Sequence, residues 1–127
     1  MISVEDLTCL NLPAKYLGYL TVFLQNISAI NSVEKIILFG SCAREEAVSD
    51  KSDIDLLVLG DTINSDDELS ILFDCPPQYG EENYIPSDII IGTLETFEKY
   101  KNENGMVQKQ ISREGIDLSG YLTRETY

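Results

Sequence analysis

Asp53 and Asp55 flank Ile54 at the head of the apolar run Leu56-Leu57-Val58-Leu59. Residues two apart on a strand share a face, so both carboxylates project the same way, with Cβ atoms about 6–7 Å apart, while Ile54 projects the other way into a core. Two like charges on one face repel, and a divalent cation between them would let both stay ionised. A third carboxylate, Asp88, heads another apolar run, Ile89-Ile90-Ile91. If the two strands are neighbours, the three carboxylates form an oxygen-rich cage for two Mg²⁺ ions. Such ions lie about 3.5–4 Å apart and stabilise the attacking and leaving oxygens of a phosphoryl displacement. Asp88 is then also placed to take the proton from an incoming hydroxyl.

A phosphate-binding turn stands upstream. Gly40-Ser41 follows the apolar run Ile36-Ile37-Leu38-Phe39. Glycine lets a backbone come close to a ligand, and the free amides at a helix start attract phosphate. Ser41 adds a hydroxyl, and Arg44, one turn on, adds positive charge. Taken singly, each feature has a plainer explanation: Asp-x-Asp as a solvated strand edge, Gly-Ser as a loop, Asp88 as a strand-entry cap, Arg44 with Glu45 and Glu46 as a solvated helix face. Their order along the chain is far more specific than any one of them. Lys109 and Arg113, four apart on one helix face, could reach a triphosphate, but a solvated face paired with Glu114 explains them more simply.

The elements that hold these residues follow from periodicity. Pro13 suits the first position of a helix whose apolar stripe is Tyr16, Leu17, Leu20, Phe23, Leu24 and Ile27. A strand is expected at 33–39, with residues 36–39 buried on both faces, then a short helix at 43–47 capped by Ser41, a turn at 49–52, and a strand at 53–59. An acidic helix start at Asp66-Asp67-Glu68 suits the helix dipole, and that helix should finish before Pro76-Pro77. Residues 79–84 read as loop and 86–91 as a third strand. Thr93 caps a helix to about residue 102, Asn104-Gly105 is a turn, and a further helix ends at Gly115 as a C′ glycine. Residues 116–121 read as a last strand. This order predicts a small α/β fold, a sheet with helices against it, and one domain spanning 1–127.

Composition narrows the chemistry. Nine Lys and Arg against 22 Asp and Glu give a formal charge of −13, which opposes wide binding to nucleic acid. The chain has no histidine, so His-dependent triads and His-ligated metals are excluded and carboxylate-bound hard metals remain. The three cysteines, Cys9, Cys42 and Cys75, fit no zinc spacing and no disulfide framework, and are expected to be reduced thiols in a cytoplasmic protein. Neither a signal peptide nor a membrane span is expected.

The segments Leu38-Phe39-Gly40-Ser41-Cys42-Ala43-Arg44 and Ser52-Asp53-Ile54-Asp55-Leu56-Leu57-Val58, with Asp88-Ile89-Ile90-Ile91 and Ile111-Ser112-Arg113-Glu114-Gly115-Ile116, resemble the polymerase-beta-like nucleotidyltransferases, in particular their minimal branch. The resemblance covers about residues 33–118. It departs from the family pattern at Glu45, where glycine is usual, at Ser87, where an apolar residue is usual, and in a slightly longer bridge from Ser41 to Asp53. It implies a central mixed β-sheet flanked by helices, two Mg²⁺ ions, and ATP or another NTP whose triphosphate lies on the Gly-Ser turn. Asp53, Asp55 and Asp88 would be metal ligands, Asp88 also the base, and Gly40, Ser41 and Arg44 the phosphate-binding residues. The reaction implied is transfer of a nucleoside monophosphate to a hydroxyl with release of pyrophosphate. Many minimal members resemble antitoxins that adenylylate a tyrosine of a separate helical HEPN-type toxin, here a partner in trans. Two alternatives stand beside this: a non-catalytic antitoxin that neutralises a basic partner by contact, and transfer to a small molecule such as an aminoglycoside-like antibiotic, for which a homodimer could build the missing substrate surface.

Overall fold

The strand β2, Ile54–Leu59, is buried along almost its whole length, and the other elements are arranged around it. The computed structural model describes residues 2–44 and 52–122. Chain order is a 3₁₀ turn at Val4–Leu7, α1 (Ala14–Ile27), β1 (Lys35–Phe39), β2, α2 (Ser65–Phe73), β3 (Ser87–Gly92), α3 (Leu94–Tyr100), α4 (Val107–Glu114), β4 (Ile116–Asp117) and a 3₁₀ turn at Ser119–Tyr121. The sheet has the order β3-β2-β1-β4. Strand β1 pairs antiparallel with β2 and β4, and β2 pairs parallel with β3. The fold is therefore a mixed α/β sheet flanked by helices, with an N-terminal helix, as the sequence leads one to expect.

The period of two along the strands divides the core between the two sheet faces. Ile36 and Leu38 of β1 and Ile54, Leu56 and Val58 of β2 join a large cluster with Leu17, Leu20, Phe23, Leu24 and Ile27 of α1. Ile37, Leu57 and Leu59 project from the opposite face onto a smaller cluster with Phe97 of α3 and Ile111 of α4. Phe39, at the open end of β1, is only half-buried.

Several boundaries differ from the sequence expectation, most of them for a local reason. Pro13 lies one residue outside α1, at the N-cap: its carbonyl accepts from the amides of Tyr16 (3.0 Å) and Leu17 (3.1 Å). Helix α2 begins earlier than its acidic turn because the Asn64 side chain accepts from the Asp67 amide at 2.8 Å. Helix α3 stops at Tyr100. The last strand is limited to Ile116–Asp117, because the Ser119 amide turns back to Asp117 Oδ1 at 2.8 Å and starts a 3₁₀ turn. Gly115 closes α4 at φ −73, not in the left-handed region expected of a C′ glycine. Its reason is contact: a Cβ there would lie 2.5 Å from both the Ile111 carbonyl oxygen and Ile37 Cγ2. Glycine thus lets the end of α4 press against β1. The expected helix at 43–47 and turn at 49–52 lie largely outside the described residues. The three cysteines are free, Cys9 exposed and Cys42 and Cys75 buried.

Candidate active site

The alternation that buries Ile54, Leu56 and Val58 under α1 sends Asp55 to the other face, on the side of α3 and α4. Strand register then assembles the rest. Asp55 is paired with Asp88 across the parallel β2–β3 ladder and with Phe39 across the antiparallel β1–β2 ladder. Cross-strand neighbours lie about 4.8 Å apart, so Asp55 and Asp88 stand side by side. Asp53, just ahead of β2, continues the alternation on the same face. Asp55 is half-buried, and Asp53 and Asp88 are exposed.

These carboxylates crowd one another. Burial foremost, then the charges of Asp88 and Asp53, push the Asp55 carboxyl above its ordinary value, and Arg44 offsets this in part. The donor set is all oxygen, anionic and on one face, which fits a hard divalent cation. Among the described residues, no three acidic or thiol groups already converge closely enough to hold a metal ion, so the aspartates are aligned but not gathered.

Gly40 is built around Asp55. It adopts φ +76, and a Cβ there would collide with the Asp55 carboxylate. Both the backbone conformation and the close approach require glycine. The Gly40 carbonyl accepts from the amides of Ala43 (3.1 Å) and Arg44 (3.2 Å). The turn so closed does not itself satisfy its first N–H groups, and those of Ser41 and Cys42 stand at that position. The described ends of the connection from β1 to β2 are tied down. The Tyr16 hydroxyl donates to the Ser52 carbonyl at 2.7 Å, and the buried Cys42 thiol donates to the Asp53 carbonyl at 3.5 Å. Burial first, then Asp55 and Asp53, push that thiol up to about 11, so at neutral pH it remains a donor.

Arg44 pairs across the fold with the end of α4. Its Nη1 lies 3.6 Å from Glu114 Oε2 at the end of α4, and Gln110 Nε2 donates to the same oxygen at 3.5 Å. A cavity of about 230 Å³ opens between Phe39, Gly40 and Arg44 on one side and Val107, Gln110, Ile111 and Glu114 on the other. Lys109 and Arg113 line a neighbouring cavity of about 560 Å³ that shares Val107, Gln110 and Glu114. Lys109 Nζ donates to the Asn104 side chain, and Glu114 serves Arg44. Sequence reasoning missed Tyr16, Cys42 and Glu114 as positioning residues. Tyr16 and Cys42 were hidden in apolar patterns, and Glu114 lies 70 residues from Arg44, so no local signal joins them.

A sheet whose central strand carries a carboxylate in register with one on the next strand, closed by a glycine turn at the same end, is that of a small nucleotidyltransferase fold. A family model described as a nucleotidyltransferase domain matches residues 20–118, and the chain belongs to that family. Its general chemistry is nucleotidyl transfer from an NTP with a divalent metal. A search of curated proteins found no match. Among the described residues no helix is long and apolar enough to cross a membrane.

Proposed function

We propose that the chain, acting as one domain in the cytoplasm, transfers a nucleoside monophosphate, AMP from ATP, to a hydroxyl of a protein. The acceptor class we favour is a tyrosine of a helical HEPN-type toxin supplied in trans, which would make the chain its antitoxin. The observation that supports this most is the register of Asp55 with Asp88 beside Gly40.

In this reading Asp53, Asp55 and Asp88 would hold two Mg²⁺ ions, which when bound supply charge neutralisation on the triphosphate. The Ser41 amide and hydroxyl and the Arg44 guanidinium orient the phosphates, with Glu114 holding Arg44 in place. Asp88 accepts the acceptor's hydroxyl proton. The new bond joins the acceptor oxygen to the α-phosphorus, the bond from that phosphorus to the α,β-bridging oxygen breaks, and pyrophosphate leaves with that oxygen. Incubation with α-labelled ATP, Mg²⁺ and a HEPN-type protein should label the acceptor. Asp88→Asn should lower the rate about 10²–10⁴-fold, the usual contribution of a proton acceptor. Equal labelling by wild type and Asp53→Ala would reject the proposal.

Contact alone is the second reading, favoured by the −13 charge, which suits masking of a basic protein. It predicts that the Asp53→Ala, Asp55→Ala double variant still neutralises the partner in cells.

A further inference from the structure

We propose that the free edge of β3 receives an extended, cationic segment of the acceptor protein, which pairs with it as an added strand and sets its hydroxyl residue beside Asp88. This rests on the reading of Asp88 as the acceptor of the hydroxyl proton and adds how the acceptor is recognised.

Strand β3 is one of the two edges of the sheet. The Ile54 amide donates to Pro86 and the Gly60 amide to Gly92. In a parallel ladder those two bonds place the even-numbered residues of β3 toward β2. The N–H and C=O groups of Ser87, Ile89 and Ile91 therefore face outward, where no strand pairs with them among the described residues. Exposed edges are usually blunted by charged side chains, lysine above all, by proline or by a bulge. The sequence Ser-Asp-Ile-Ile-Ile-Gly has no lysine, proline or bulge, and its one charge, Asp88, lies at the end that the site uses. It is an open template for strand addition.

Register fixes what such a strand would meet. Asp55 and Asp88 are cross-strand neighbours on one face, so the added residue next in that row stands about 4.8 Å from Asp88. A tyrosine, serine or threonine there brings its hydroxyl to the carboxylate that takes its proton, while its oxygen bonds to the α-phosphorus and pyrophosphate departs. Two residues along the same face, Ile90 is 43% exposed. It borders a cavity of about 220 Å³ lined by Leu57, Gly92, Thr96, Val107 and Gln108 among others. The added strand's residue two away from the hydroxyl faces this cavity, and an apolar side chain fits it. Gln108 Oε1 is buried beside the cavity without a hydrogen-bond partner among the described residues, so the cavity also holds one acceptor for an N–H.

Charge selects the occupant. The only charged residue of β3 is Asp88. Glu81 and Glu82 precede the strand, and Asp61 and Glu95 meet beyond its far end, where the Glu95 amide donates to Asp61 Oδ1 at 3.1 Å. A lysine- or arginine-rich segment complements both ends. A second copy would bring the same acids, and another −13, against them.

The test uses the intact chain without nucleotide and a library of short peptides with tyrosine fixed at the centre and all other positions varied. Captured peptides should be enriched in an apolar residue two positions from the tyrosine and in Lys and Arg at the flanks. N-methylation of the selected peptide at alternate backbone nitrogens should weaken binding at least about tenfold by fluorescence anisotropy, as should Ile90→Lys, with the fold checked by circular dichroism. Absence of positional enrichment, or N-methylated peptide bound as well as its parent, overturns the proposal. Sedimentation of the wild type as a dimer that Ile90→Lys dissociates would identify a second copy as the occupant and overturn it too. A peptide that binds by these criteria yet takes no label from α-labelled ATP would reject the proposed activity and leave the edge as a docking strand. Labelling of another acceptor by a chain that fails the peptide tests would do the reverse.

Discussion

The two faces of the sheet are made by the same strands and differ in nearly everything else. Toward α1, Ile36, Leu38, Leu56 and Val58 are fully buried, as are Leu20, Phe23, Leu24 and Ile27 above them. Toward α3 and α4, apolar contact is limited to a few residues around Phe97 and Ile111. There the strands also carry Asp55 and Asp88, and cavities open beside Gly40 and Ile90. One face supplies stability and the other leaves room for ligands. The division is made one residue at a time along β2: Ile54 in, Asp55 out, Leu56 in. A half-buried carboxylate beside two others is tolerated because its neighbours on the strand are anchored on the far side.

Substitutions on adjacent residues of β2 should separate these roles. Under the proposed mechanism Asp55→Asn removes a charge-stabilising metal ligand worth several kcal/mol and should lower nucleotidyl transfer about 10³-fold. It should not destabilise the metal-free protein. The native state holds the Asp55 carboxyl above its ordinary value, so the stability tied to this group is fully present at pH below the unfolded value and is lost as pH rises through the native one. An amide removes that loss, and the melting temperature of the metal-free variant at neutral pH should equal or exceed that of wild type. Leu56→Ala, next along, should cost about 2–5 kcal/mol in denaturant unfolding, the range for a buried leucine. Equal loss of stability from both variants would break the comparison.

Gly40→Ala tests where the faces meet the turn. The left-handed backbone alone costs a non-glycine residue about 1–2 kcal/mol, and the added Cβ must also displace the Asp55 carboxylate. Unfolding should show at least that loss, and transfer should fall more than stability does.

The smallest effect concerns alkaline pH and the α1 face. Burial first, then Asp74, push the Cys75 thiol up to about 12. Above about pH 9 the unfolded chain releases this proton while the native state keeps it, so stability falls as pH rises. Cys75→Ala should flatten that limb of the stability profile, measured by urea unfolding between neutral and alkaline pH.

Much of this division was legible in the sequence. Asp-x-Asp ahead of an apolar run tells which residues share a face, and Asp88 ahead of Ile89-Ile90-Ile91 marks a second strand of the same kind. Sequence could state only the condition that the two strands be neighbours; the parallel register of Asp55 with Asp88 is a tertiary fact. Gly115 shows a different limit. Its position after a helix suggested a left-handed cap, whereas packing against Ile37 and the Ile111 carbonyl is what excludes a side chain. The shortness of β4 came from Asp117 turning the Ser119 amide back on itself, a local competition that an apolar pattern does not display. Arg44 with Glu114 joins turn and helix across the fold, with no periodicity to announce it.

The parallel pairing of β2 with β3 also sets a sequence of events. Strands β1 and β2 are antiparallel neighbours in the chain, whereas β3 reaches β2 only after α2 and the loop behind it have crossed over. Contacts distant in sequence form later in folding, because loop closure must be met before pairing rewards it. On that argument the β1–β2 pair is expected to condense first, with Asp53 and Asp55 still solvated, and Asp88 to join them once most of the α1 core can hold the strands in place. Electrostatic crowding at the carboxylates would then arise late in folding, and its cost should appear chiefly as faster unfolding and not as slower folding.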